Sequence, residues 1–209
     1  MKRLFIKFAA ACLSVAMVSN ASAALIVSLD IDGNTAYQPF TLASAASNTA
    51  NITSFTFDLG SLGLVFDPEN GGAFANGNGV AFTPKANTGA STGLVSPFAV
   101  VDGSTSFTQF FTDFNPGEMF KWDIDVDFLS GTKRVDGDDL IGASLSVMFD
   151  DGSMLAGTFA PISGNSDASG FVATSFTSGS SVAVEEPAPF GILALSLALF
   201  GLARFRFNG

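Results

Sequence analysis

Apolar and polar residues alternate along most of the chain between residues 24 and 177, in short runs separated by Gly, Asn, Asp, Ser and Pro. Alternation with a period of two is typical of a strand with one buried face and one solvated face. The runs predicted as strands are Leu25–Ile31, Ile52–Leu59, Leu62–Phe66, Leu94–Val101, Met119–Leu129, Leu140–Phe149, Met154–Phe159 and Gly170–Thr177. Residues 74–93, rich in Gly, Asn and Ala, predict weak strand and loop.

The clearest strand is Met119–Leu129, which alternates over its whole length. Its apolar face carries Phe120, Trp122, Ile124, Val126 and Phe128. Its polar face carries Lys121, Asp123, Asp125 and Asp127, and we predict that this face is solvated. Successive side chains on one face lie about 7 Å apart, which is too far for the three carboxylates to share an ion without help from a loop.

The clearest hairpin joins Leu140–Phe149 to Met154–Phe159. Asp151-Gly152 lies between them and predicts a two-residue type I′ turn, in which both residues have positive φ. Many short strands with no convincing helix among them predict an all-β body over residues 24–177. Its predicted architecture is an antiparallel β-sandwich of jelly-roll type. A β-helix is the structural alternative, although the chain shows no fixed short repeat.

Residues 1–23 have the pattern of a secretory signal peptide. Positive charges at Lys2, Arg3 and Lys7 precede an apolar stretch over residues 8–18. Ala21 and Ala23 then form a small-residue cleavage site, and we expect cleavage after Ala23. The pattern predicts export through the Sec machinery.

The composition excludes several kinds of chemistry from the body. The chain has no histidine, and its one cysteine, Cys12, lies in the predicted signal peptide. Triads that need His, thiolate nucleophiles and Cys-based metal sites are therefore excluded after cleavage. A lipoprotein box at Cys12 is an alternative that the apolar run continuing past Cys12 disfavours. We predict that the protein is not an enzyme, with a glycoside hydrolase using paired carboxylates as the alternative.

The body is strongly acidic. Residues 24–183 contain 17 acidic residues and four basic ones, a net charge of −13. Such a surface repels nucleic acid and anionic lipid headgroups, so we expect neither as a partner. It attracts divalent cations or basic partners instead.

Asp136, Asp138 and Asp139 place three carboxylates on one short loop around Gly137. Hard oxygen ligands on a flexible loop suit Ca²⁺. The twelve-residue spacing of an EF-hand and its final Glu are missing. The alternatives at this loop are a Ca²⁺ site and a plain turn, so the predicted cofactor is either Ca²⁺ or none.

Residues 178–189 form a linker, and residues 190–209 form an apolar segment with a basic end. The linker ends in Glu186, Pro187, Ala188 and Pro189. The apolar run Phe190–Ala203 has 14 residues, and Arg204 and Arg206 follow it. As a helix it would span about 21 Å, which is short for a hydrocarbon core of about 30 Å. We expect a temporary inner-membrane anchor with a cytoplasmic basic flank, and a buried core helix is the alternative.

The order of motif, apolar run and arginines resembles the PEP-CTERM sorting signal of Gram-negative bacteria. The usual Pro-Glu-Pro triplet is here Glu185-Glu186-Pro187, and Phe205 and Phe207 interrupt the basic end. The resemblance covers about an eighth of the chain. It implies export, brief anchoring by the tail and processing by the membrane protease exosortase, in species that make extracellular polysaccharide. Residues 136–153 are similar to a segment common in the bodies of such proteins, which names no activity.

Together these features predict a non-catalytic cell-surface or extracellular-matrix protein associated with exopolysaccharide or biofilm. A carbohydrate-binding module, with or without Ca²⁺, is the alternative function. Sugar-binding faces usually present Trp and Tyr, and the chain has only Trp122 and Tyr37 beside its 23 Phe residues. The alternation around Trp122 predicts that this side chain is buried.

Overall fold

The computed structural model describes residues 25–71, 79–130 and 134–179, and all strand pairs within these ranges are antiparallel. The strands are β1 (Val27–Asp32), β2 (Phe40–Ser44), β3 (Ile52–Asp58), β4 (Leu64–Phe66), β5 (Thr83–Pro84), β6 (Ser106–Phe114), β7 (Met119–Asp123), β8 (Val126–Phe128), β9 (Ser144–Phe149), β10 (Met154–Ile162) and β11 (Asn165–Thr177). One turn of helix, α1 (Thr88–Ser91), and a 3-10 helix, η1 (Gly137–Leu140), complete the described elements. The all-β prediction is confirmed.

The predicted signal peptide and the tail from residue 180 onward lie outside the described residues. Within the three described ranges, no helix has the length and apolar character needed to cross a membrane.

Nine strands form one sheet in the order β5-β7-β2-β1-β11-β10-β9-β3-β6, and β4 pairs with β8 in a separate ribbon. Contacts between distant strands show that the large sheet is curled. Phe40 on β2 and Phe57 on β3 lie five strand positions apart, yet their ring centroids are 5.7 Å apart. The same separation in a flat sheet would be about 24 Å. The two ends of the sheet therefore face each other across one core.

Aromatic rings fill the space between these two ends. We call them the aromatic layer, which consists of Phe40, Phe55, Phe57, Phe120, Trp122 and Phe159. Trp122 is fully buried, as predicted, and its ring stacks on Phe40, Phe55 and Phe120 at centroid distances of 5.4, 5.1 and 5.2 Å. Phe57 stacks on Phe159 at 5.1 Å. The period-two alternation of β1 and β6 places their apolar residues on the same inner face.

The segment after β5 covers both open edges of the curled sheet. Lys85 donates its backbone N–H to the Lys121 carbonyl on β7 (2.8 Å), and Val95 donates to the Phe110 carbonyl on β6 (2.9 Å). Leu94 also pairs with Phe111 of β6. The prediction of a strand over Leu94–Val101 is wrong, because only Leu94 forms a β-bridge. The chain leaves the edge of β6 after Val95.

The predicted hairpin is confirmed as β9 and β10, but β9 begins at Ser144 because Leu140 ends η1, and the turn is not type I′. Of the turn residues, Gly152 alone has positive φ (78°), so Asp151 is not left-handed. Phe149 donates its N–H to the Ser153 carbonyl (3.0 Å), which leaves three residues in the loop. A left-handed Gly closing a three-residue loop is the next most common hairpin connection.

The single strand predicted over Met119–Leu129 is divided in the structure. β7 ends at Asp123 inside the large sheet, and β8 begins at Val126 in the ribbon with β4. Asp125 and Asp127 are only 7% and 9% exposed, so the predicted solvated face is wrong for both. Asp123 is partly buried and pairs with Lys85. Asp125 and Asp127 do not lie on the edge of an open strand, because β4 pairs beside β8 and Val80 hydrogen-bonds to the Asp125 backbone.

Replacing Phe57 tests whether the aromatic layer stabilises the curled sheet. We expect Phe57→Ala to lower the free energy of unfolding by about 3–5 kcal/mol, because it opens a cavity among buried rings. Phe110→Ala is the control, since that ring is 56% exposed, and its cost should stay below about 1 kcal/mol. Urea unfolding followed by the fluorescence of Trp122 measures both. Equal losses in the two variants would contradict the layer's role.

Candidate functional site

Three backbone hydrogen bonds form a closed frame beside the β4–β8 ribbon. Asp67, directly after β4, donates its N–H to the Asp125 carbonyl (3.0 Å). Asp125 donates to the Val80 carbonyl (3.0 Å), and Val80 donates back to the Asp67 carbonyl (3.0 Å). The frame fixes three chain segments that are distant in sequence.

The ribbon's register brings three carboxylates together on the face opposite the core. Val65 pairs with Asp127 and Phe66 with Val126, so the next position sets Asp67 opposite Asp125. Asp67, Asp125 and Asp127 each place a carboxylate oxygen within 4.8 Å of the other two. We call these three residues the Asp67 cluster. Residues directly opposite each other on paired strands lie closer together than successive residues on one strand face. The pairing of β4 with β8 therefore brings Asp67 close to the other two carboxylates.

The Asp67 cluster is buried and only partly satisfied. Asp67 is 0% exposed, and neither of its carboxylate oxygens accepts a hydrogen bond of normal geometry. Asp125 Oδ1 accepts a hydrogen bond from the Val126 N–H (2.9 Å), and the buried Thr35 hydroxyl lies 3.4 Å from the same oxygen. A buried carboxylate without a donor is costly unless a proton or a cation compensates it.

Burial is the largest of the causes that together raise the pKa of Asp67 to about 6. A hydrogen bond with the Glu69 backbone opposes the rise, and the neighbouring Asp127 and the charge of Asp102 add to it. Burial also raises the pKa of Asp125 to about 6, with a further contribution from the Asp127 charge and a smaller one from Asp67. The Val126 N–H and the Thr35 hydroxyl act in the opposite direction on Asp125. Both shifts report three anionic groups held together away from water.

The three carboxylates predicted from the sequence are also close together. Asp136, Asp138 and Asp139 have carboxylate oxygens within 4.8 Å of one another. Asp136 is the N-cap of η1, and its N–H donates to Asp139 Oδ2 (3.1 Å), which makes a capping box. Arg134 Nε donates to Asp136 Oδ2 (2.9 Å). Asp136 and Asp139 therefore have a structural role, since their side chains cap the N-terminus of η1. The side chain of Asp138 is exposed.

The predicted sorting and cleavage residues lie outside the described part of the chain. They are Ala21, Ala23, Glu186, Pro187, Ala188, Pro189, Arg204 and Arg206. The prediction of their roles therefore stays a prediction.

No family model matches the chain, and neither the comparison with curated proteins nor the comparison with solved structures found a match. The chemistry of the Asp67 cluster thus has to be inferred from its own geometry.

The raised pKa values predict how stability changes with pH when divalent cations are removed with EDTA. Folded Asp67 and Asp125 hold protons that the unfolded chain releases, so the free energy of unfolding should fall as pH rises from about 4 to about 6. Each shift corresponds to a loss on the order of 3 kcal/mol. Above about pH 6 these two groups should add no further change.

Urea unfolding at half-unit pH steps measures this dependence. Asp67→Asn should reduce the slope between pH 4 and 6, because the carboxamide does not titrate. Partial desolvation raises the pKa of Asp30, which is exposed on β1, so Asp30→Asn is the control for a titrating group outside the Asp67 cluster. A wild-type stability that rises with pH through this window, or an unchanged slope in Asp67→Asn, would contradict the assignment.

Proposed function

We propose that the chain is an exported, non-catalytic protein of the cell surface or extracellular matrix. The observation that supports the proposal is the order of segments around the β body: a signal-peptide pattern ending at Ala23 before it, and the motif Glu186–Pro189 with an apolar run and arginines after it. Under this proposal the Sec machinery exports the chain, the tail holds it briefly in the inner membrane, and an exosortase-type protease processes it. Extracellular polysaccharide is the proposed environment.

The proposed architecture of the body is an antiparallel β-sandwich of jelly-roll type. Its support is the aromatic layer, in which rings from the two ends of the curled sheet pack against each other as the inner faces of two layers do. Such a body needs neither a cofactor nor a catalytic residue to serve as a displayed scaffold.

Glycoside hydrolysis finds little support in the buried carboxylates. Its two carboxyl groups stand on either side of the scissile bond, about 5–9 Å apart. Asp67 and Asp125 have oxygens within 4.8 Å, and Asp67 is 0% exposed, so a sugar has neither space nor access between them. Their raised pKa values alone do not make a catalytic pair.

The carbohydrate-binding alternative depends on an exposed aromatic surface. Trp122 is buried in the core, whereas Tyr37 is 79% exposed. One tyrosine provides a smaller stacking area than the several rings of a typical sugar-binding face. We therefore favour the structural role over a dedicated sugar site.

The intact mass of the protein recovered from its native host tests the proposal. We expect loss of residues 1–23 and of everything beyond about Glu186–Pro189, because the signal peptidase and the tail-directed protease act on those positions. Additional mass at the new C-terminus would indicate transfer to an anchor. A mature chain that still ends at Gly209 would overturn tail-directed processing.

Two variants make the mass measurement specific for the motif. Pro187→Ala should leave the tail in place and keep the protein in the inner-membrane fraction. Val184→Ala lies just before the motif and should be processed like the wild type. Equal processing of both variants would show that the motif does not direct cleavage.

A further inference from the structure

Asp67 is a buried carboxylate that forms no ion pair with Lys85 or Arg134, and the Glu69 backbone only partly offsets the rise in its pKa. Its side chain is 0% exposed and neither oxygen accepts a hydrogen bond of normal geometry. The ion pairs formed by Lys85 and Arg134 are with Asp123 and Asp136, outside the Asp67 cluster. Its nearest charged neighbours in the cluster, Asp125 and Asp127, are themselves carboxylates. Three like charges in one buried place are costly unless a proton or a cation compensates them.

A glycine lets a neighbouring chain segment pack closely against Asp67. A Cβ on Gly79 would lie 2.7 Å from Asp67 Oδ1 and 2.5 Å from the Glu69 carbonyl oxygen, closer than real Cβ atoms approach. The same geometry shows that the Glu69 carbonyl lies near the Asp67 carboxylate. The oxygens close to the Asp67 carboxylate are therefore those of carboxylates and of a backbone carbonyl.

We propose that the Asp67 cluster binds one divalent cation of the Ca²⁺ class, through the carboxylates of Asp67, Asp125 and Asp127 and with the Glu69 carbonyl close by. An all-oxygen set that mixes carboxylates with a backbone carbonyl is what Ca²⁺ takes, and Ca²⁺ tolerates irregular geometry. Mg²⁺ demands a near-ideal octahedron and keeps several waters, which suits a fully buried carboxylate less well. This inference does not depend on where the chain is exported.

Binding would join three segments that the backbone frame already brings together. Asp67 follows β4, and Glu69 lies two residues further along the chain. Asp125 lies just before β8, and Asp127 lies within it. The backbone of Val80 hydrogen-bonds to both Asp67 and Asp125. The cation would replace the repulsion between the carboxylates with attraction. It would therefore bind the folded state and not the unfolded chain, and raise thermal stability.

The test uses the full chain in mild detergent at pH 7.5, treated with EDTA and then dialysed. Calcium chloride is added in steps, and the melting temperature is followed by circular dichroism. At a free Ca²⁺ concentration about 100 times the dissociation constant, the melting temperature should rise by about 5–10 °C. Calorimetric titration of the same sample should show one Ca²⁺ bound per chain with the affinity that the melting series indicates. Absence of both the shift and the binding would overturn the proposal.

Asp67→Asn and Asp125→Asn should abolish the Ca²⁺-dependent shift. In EDTA neither variant should melt below the wild type, because each removes one of the mutually repelling charges. Asp167→Asn changes an exposed carboxylate and should keep the full shift, which controls for net charge. If Asp67→Asn does not fold, the wild-type titration and Asp127→Asn decide the matter.

Two further outcomes would move the assignment elsewhere. A shift that survives Asp67→Asn but disappears in Asp138→Asn would overturn the Asp67 cluster in favour of the loop at Asp136, Asp138 and Asp139. Magnesium chloride at the same concentration should produce a much smaller shift. An equal shift would overturn the assignment to a cation of the Ca²⁺ class.

Discussion

Packing of aromatic rings between the two ends of the large sheet is the interaction on which this fold depends. Phe55 and Phe57 on β3 contact Trp122 and Phe40, which lie at the other end of the strand order. Phe carries no polar group that needs a partner, so many rings can be buried together with little polar cost. Burying each ring contributes roughly 1.5–3 kcal/mol, and these contacts require the sheet to curl.

The position of the β4–β8 ribbon follows from the same layer. Phe66 on β4 packs on Phe57 and Phe107 at 5.6 and 4.8 Å, which holds one face of the ribbon against the core. Side chains alternate along a strand, so the opposite face then carries Asp67, Asp125 and Asp127. Apolar packing on one side thus forces three acidic side chains together on the other.

The sequence predicts the individual strands better than their partners. The alternation of apolar and polar residues predicts β1, β3, β9 and β10 and the burial of Trp122, and the structure confirms them. A period of two is the pattern of a strand with one buried face. Strands β2 and β6 were not predicted. The division of Met119–Leu129 into β7 and β8 was also missed, because the apolar alternation continues through Ile124 while the strand partner changes. Pairing partners are set by long-range packing, which local periodicity does not contain.

The candidate site shows the same limit. Asp67 occurs in Asp67-Pro68, a sequence that simply indicates a turn, and nothing local connects it with Asp125. The spacing of Asp125 and Asp127 predicts one solvated strand face, but both are buried and Asp125 precedes β8. Knowing that β4 pairs with β8 was needed to add the third carboxylate. The cluster of Asp136, Asp138 and Asp139 was accessible from sequence because one short loop supplies all three.

The charge balance of the body decides how the Asp67 cluster can persist. At an effective dielectric constant of about 20, two like charges less than 5 Å apart repel by roughly 3–4 kcal/mol. Lys85 and Arg134 already pair with Asp123 and Asp136. A proton in acid and, under the proposed binding, a divalent cation at neutral pH would each stabilise the cluster from solution. Both act on the same carboxylates, so protonation and cation binding compete, and the strongly acidic body raises the local concentration of either cation.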